Sequence, residues 1–113
     1  DNVVCEAVNL GLISLPGVAT PSEAFRAIAL GAHGLKLFPA EMISPAVVKS
    51  MRAVLPKHIR LIPVGGIGTH NMADYRNSGA SGFGIGSALF APGKSAQAVG
   101  ESAAAFVQAW KAA

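Results

Sequence analysis

Cysteine occurs once in this chain, at Cys5, so no disulfide can form within it, and a reducing compartment suits it. Cys5 lies among Val3, Val4, Ala7 and Val8 and is expected to be a small core side chain, not a reactive thiol. Charge is also scarce, at 13% of residues against 51% hydrophobic, which excludes a disordered chain and implies deep burial. No run of 18 apolar residues is free of Gly, Pro and charge, so no membrane span is expected. Asp1-Asn2 shows no basic leader, and a cytoplasmic location is expected. The one Tyr and one Trp stand far apart and cannot interleave with basic residues to stack bases. Lys49, Arg52, Lys57 and Arg60 read as a solvated helix face, so nucleic acid is not an expected partner. His33, His58 and His70 lack ligand-like spacing, so no metal and no cofactor is expected. The net charge of +3 suits an anionic small molecule.

What is present begins with Lys36, a lone ammonium in the apolar run Gly34-Leu35-Lys36-Leu37-Phe38-Pro39, which otherwise reads as a fully buried strand. A buried lysine deprotonates or finds a partner, and a neutral amine in an apolar pocket is the nucleophile of Schiff-base chemistry. The alternative is a lysine that snorkels from a sheet edge. The run by itself leaves both open.

At 113 residues the chain holds one small domain. Four apolar runs, Leu12–Leu15, Leu35–Phe38, Leu61–Val64 and Phe83–Gly86, start 23, 26 and 22 residues apart. None alternates polar with apolar, which predicts strands covered on both faces in a parallel sheet. Helix signals lie between them. Thr20-Pro21-Ser22-Glu23 is a capping box, with Gly31 closing its helix. Ser44-Pro45 opens a second helix that Pro56 stops, Thr69 or His70 a third that Gly79 ends, and Ser95 a last one running to about Ala112. Residues 1–10 read as a helix. This α/β alternation predicts right-handed crossovers, and buried strands need neighbours at both edges. A (β/α)₈ barrel needs about twice this length. The expectation is therefore the C-terminal half of a TIM barrel over residues 1–113, cut inside its fourth helix. The structural alternative is an open four-stranded α/β sheet.

Val64-Gly65-Gly66-Ile67-Gly68 follows the third run, and Gly84-Ile85-Gly86-Ser87 ends the fourth. In a barrel these are the loops after strands 7 and 8, which commonly bind phosphate. Glycines let backbone amides approach an anion, and the Ser87 hydroxyl adds a donor.

The segments Pro16-Gly17-Val18-Ala19-Thr20-Pro21-Ser22-Glu23-Ala24, Leu35-Lys36-Leu37-Phe38-Pro39-Ala40-Glu41, Val64-Gly65-Gly66-Ile67 and Gly86-Ser87 together resemble the 2-keto-3-deoxy-6-phospho-sugar-acid aldolases. Within that family the chain looks more like the 2-dehydro-3-deoxy-6-phosphogalactonate (KDPGal) branch. Val64 stands where the phosphogluconate (KDPG) branch usually has Thr, and Ala103-Ala104-Ala105-Phe106-Val107 with Trp110 resembles the galactonate ending. Phe38-Pro39-Ala40-Glu41 favours the other branch.

The resemblance implies Lys36 as the Schiff-base lysine, Gly65, Gly66, Gly86 and Ser87 at the phosphate, and Phe38 lining the pocket. It implies retro-aldol cleavage to pyruvate and glyceraldehyde 3-phosphate without a metal, and a homo-oligomer, a trimer. The family's proton-shuttling glutamate comes from an early strand, so Glu41 is not expected to be that acid or base. That glutamate, and the arginine and threonine that hold the carboxylate and keto region, would lie before Asp1, leaving the isolated chain inactive. Thr20 and Glu23 are assigned to capping alone. A non-catalytic phosphate-binding half-barrel, with Lys36 as counter-charge, is the competing expectation.

Overall fold

The computed structural model describes residues Asp1 to Ala113. Its elements are α1 (Asn2–Asn9), β1 (Gly17–Val18), α2 (Pro21–Ala29), β2 (Gly34–Leu37), α3 (Pro45–Val54), β3 (Arg60–Pro63), α4 (Met72–Asn77) and α5 (Ala96–Ala112). The strands form one parallel sheet in the order β1-β2-β3, each joined to the next through a helix. A parallel bridge between Val64 and Gly84 marks where the fourth run joins.

Helix starts follow local chemistry. At α2 the Glu23 amide donates to Thr20 Oγ1 at 3.2 Å, while the Thr20 and Ala19 amides donate to Glu23 Oε2 at 2.9 and 2.8 Å. Those two amides, with the Thr20 hydroxyl, hold the Glu23 carboxyl below its ordinary range. A folded-state pKa below the unfolded one adds stability above the ordinary carboxylate range and loses it as pH falls through the lowered value. Urea titrations of the full-length protein are accordingly expected to show a deficit for Glu23→Gln at neutral pH that shrinks on acidification. Thr20→Ala should lower stability by about 1 kcal/mol. Ser44 and Ser95 accept from the Val47 and Ala98 amides to open α3 and α5.

The sheet has two unlike faces. Leu35, Leu37, Leu61 and Pro63 are fully buried and face the helices, packing with Ala24, Ala27, Val48, Met51 and Tyr75. Across from them, Gly17 and Ile62 flank Lys36 in register, on a face where Ile62 and Lys36 are half-buried. Ile13 and Leu15, 78% and 44% exposed, continue that second face. In this half of the barrel the helices cover one face of the strands, and the second face lies open, as expected of a half-barrel with nothing opposite its inner layer.

Five expectations shift. The first ladder falls at Gly17–Val18, not Leu12–Leu15. The His33, Lys36 and Phe38 amides donate to the carbonyls of Ser14, Pro16 and Val18, but Pro16 has no amide and the Ser14 amide goes to His33 Nδ1. The fourth run makes a single bridge: the Ser81 and Gly84 amides reach Leu61 and Pro63, and its glycines weaken strand propagation beyond that. The third helix starts at Met72, because the Asn71 side chain is engaged in the preceding turn. Arg52 is only partly solvated: its guanidinium donates to the carbonyls of Ile59 (2.6 Å), Leu55 (3.3 Å) and Pro56, and burial lowers its pKa. Cys5 is half-buried on α1, outside the main core.

Candidate active site

The C-terminal ends of β2, β3 and the fourth run converge on a pocket of about 440 Å³. Phe38, Gly65, Gly66, Gly86 and Ser87 all line it. Lys36 is not in the lining. Its Nζ stands 4.5 Å from the centroid of the ring of Phe38, which is itself a lining residue.

The Gly65-Gly66 turn needs its glycines. Their φ values of 105° and 63° lie in the left-handed region, and a Cβ on Gly65 would come within 2.5 Å of Glu41 Oε2. Asn71 fixes the turn from below, accepting from the Gly68 amide and donating to the Gly66 carbonyl, both at 3.0 Å. The amides of Gly65, Gly66, Gly86, Ser87 and Ala88 make no backbone hydrogen bond. They and the Ser87 hydroxyl are the donors the pocket can offer an anion.

Gly86 differs from the glycine pair. A Cβ there meets no atom within 4 Å, so a side chain would project into the pocket without disturbing the backbone. Gly86→Val in the full-length protein is expected to raise KM for a phosphorylated substrate about ten- to hundredfold. It should also narrow the preference for that substrate over its unphosphorylated counterpart. Steady-state kinetics on the two substrates checks this, and an unchanged preference would place the anion elsewhere.

Two pocket residues, Glu41 and His70, and the turn residue Asn71 outside the lining were given no role from sequence. Glu41 leans over the glycine turn, with its Cγ 2.9 Å from where a Gly66 Cβ would be. His70 lines the pocket with its ring against Gly68. Asn71 was a turn-shaper in disguise, its signal being the Gly-x-x-Asn spacing from Gly68 to Asn71. Behind the site, the Ala40 amide donates to the Val64 carbonyl and Tyr75 Oη donates to the Ala40 carbonyl, both at 2.9 Å. Burial, and then the nearby Glu41 charge, raise the Tyr75 pKa, which keeps it a donor. No three His, Cys, Asp or Glu side chains converge, and no helix is long and apolar enough to cross a membrane.

The chain is 44% identical over 110 residues to a Rhizobium meliloti (strain 1021) protein named a probable 2-dehydro-3-deoxy-6-phosphogalactonate aldolase, covering 97% of this chain and 52% of that protein. It is 40% identical over 109 residues to the 2-dehydro-3-deoxy-6-phosphogalactonate aldolase of Escherichia coli (strain K12), covering 96% of this chain and 53% of the relative. The solved structure of native KDPGal superimposes with a TM-score of 0.95 at 40% identity, covering 97% of this chain and 53% of that one. The chain therefore spans about half the length of the curated relatives it matches, and its sheet and helices form part of their barrel. The sequence profile of the KDPG and KHG aldolases matches residues 1–102, and with the fold and relatives in agreement, the chain belongs to that aldolase family.

Proposed function

We propose that this chain is part of a metal-independent Schiff-base aldolase that cleaves 2-dehydro-3-deoxy-6-phosphogalactonate to pyruvate and glyceraldehyde 3-phosphate. The carrying observation is that Lys36, on β2, touches the ring of Phe38, and Phe38 lines a pocket whose donors are free backbone amides and a serine hydroxyl. That arrangement suits a substrate with a ketone at one end and a phosphate at the other. In this reading neutral Lys36 attacks the C2 carbonyl, water leaves, and the resulting iminium draws the electron pair of the C3–C4 bond as the C4 hydroxyl loses its proton. Glyceraldehyde 3-phosphate departs. The enamine is then protonated and hydrolysed, releasing pyruvate and regenerating the lysine.

The phosphate contributes binding that holds C2 near the amine, with Gly65, Gly66, Gly86 and Ser87 as its contacts and Phe38 lining the pocket. The rest of the barrel supplies the proton-shuttling glutamate. The working protein is a cytoplasmic homo-oligomer, a trimer. Phe38-Pro39-Ala40-Glu41 supports a second reading, in which the C4 epimer, 2-dehydro-3-deoxy-6-phosphogluconate, is the substrate. Borohydride reduction of the full-length protein with pyruvate tests the common mechanism. Lys36 should gain the mass of a reduced pyruvyl adduct, whereas a lysine serving as phosphate counter-charge gains nothing. Rates on the two C4 epimers decide between the substrates.

A further inference from the structure

Glu41 presents a physical problem. A carboxylate lines a pocket read as an anion site, and no Lys or Arg lines that pocket to offset it. The backbone that leads into it is held in place. The preceding residue, Ala40, is 1% exposed and clamped from two sides, by the Val64 carbonyl and by Tyr75 Oη. The carboxylate then rests on the Gly65-Gly66 turn so closely that any Cβ on either glycine would collide with it. The carboxylate itself accepts no hydrogen bond from any other group of the chain, while the remaining glutamates that make hydrogen bonds, Glu23 and Glu101, lie outside the pocket.

An ionised carboxylate can only accept hydrogen bonds, so a ligand sharing its pocket is favoured if it brings donors. Neither end of a phosphorylated keto acid does so: the phosphate and the carboxylate are both acceptors. Its hydroxyls are the donors, and the one nearest the phosphate is on C5, adjacent to the phosphate-bearing carbon. The C4 hydroxyl is consumed in the cleavage, whereas the C5 hydroxyl is a bystander. Resting on the aldolase reading above, we propose that Glu41 is a specificity-determining residue that accepts a hydrogen bond from the C5 hydroxyl.

The test runs the reaction in the synthetic direction in the full-length protein, joining pyruvate to one of two aldehydes. Glyceraldehyde 3-phosphate carries the hydroxyl that becomes the C5 hydroxyl; 3-oxopropyl phosphate lacks it. Glu41→Ala is expected to lower the ratio of kcat/KM for the first aldehyde over the second by about ten- to hundredfold, as loss of a hydrogen bond to a charged group does. Glu41→Gln preserves the volume against the glycine turn and serves where alanine fails to fold. It should lower the ratio severalfold, since a neutral amide is a weaker acceptor. A ratio unchanged in both variants overturns the assignment. So does an equal gain in kcat/KM for both aldehydes, which would make Glu41 a source of repulsion alone. Borohydride trapping of pyruvate on the unsubstituted protein separates the two claims. Trapping with an unchanged ratio sinks only the role of Glu41, and absence of trapping sinks the aldolase reading and this inference with it.

Discussion

Lys36→Arg in the full-length protein is expected to reduce pyruvate formation by at least about 10⁴-fold, the scale on which loss of a nucleophile acts. Arginine stays protonated at accessible pH and cannot form an iminium. The fold should survive, because Lys36 sits on the half-buried face of β2 with Gly17 on one side and Ile62 on the other. The guanidinium can also take over the cation–π contact with Phe38. Circular dichroism and melting temperature should therefore match the parent while activity and borohydride trapping vanish together. Substantial residual cleavage would remove Lys36 from the chemistry.

Expressed alone, residues 1–113 are expected to aggregate, to form a molten state, or to pair with a second copy, and to make no pyruvate. Leu12, Ile13 and Leu15 are 56%, 78% and 44% exposed, and the last two share a sheet face with Ile62. Beside them the two-residue strand β1 is an open edge of the sheet. Exposed apolar surface next to unpaired backbone is a template for association. Supplying the remaining half of the barrel, in the same chain or as a separate one, should restore a compact species and activity. Size-exclusion chromatography with light scattering, near-ultraviolet circular dichroism and a pyruvate assay read the three parts of this expectation. A monomeric, cooperatively folded and active 113-residue protein would contradict both the barrel assignment and the external source of the proton shuttle.

What could be read in the sequence follows the range of the forces involved. Thr20-Pro21-Ser22-Glu23, Ser44-Pro45 and Ser95 marked helix starts correctly because a cap is settled within one turn. Thr69 or His70 was expected to open the third helix and neither does, because the Asn71 side chain bonds Gly66 and Gly68 and extends the turn to Met72. The register of the first run was hidden, because it depends on His33, nineteen residues further along the chain, capturing the Ser14 amide. The two glycine motifs and Lys36 were legible as types of residue at types of place. That Glu41 lies against the glycine pair was not legible, since it requires the loops after β2 and β3 to meet, and nothing in either loop announces the other.

The only tryptophan gives the fourth run an optical signature. Trp110 on α5 stands edge-on to Phe83, ring centroids 5.7 Å apart, and Phe83 is in turn edge-on to Tyr75. Arg76 lies over the indole at 4.2 Å and donates to the Trp110 carbonyl. Phe83 is next to Gly84, the single residue that bridges this run to the sheet. Any slippage of the run that carries Gly86 and Ser87 must therefore move the ring against which the indole rests. The emission of Trp110, already subject to the guanidinium above it, reports through that contact on whether the run carrying Gly86 and Ser87 is in place, with no label attached to the protein.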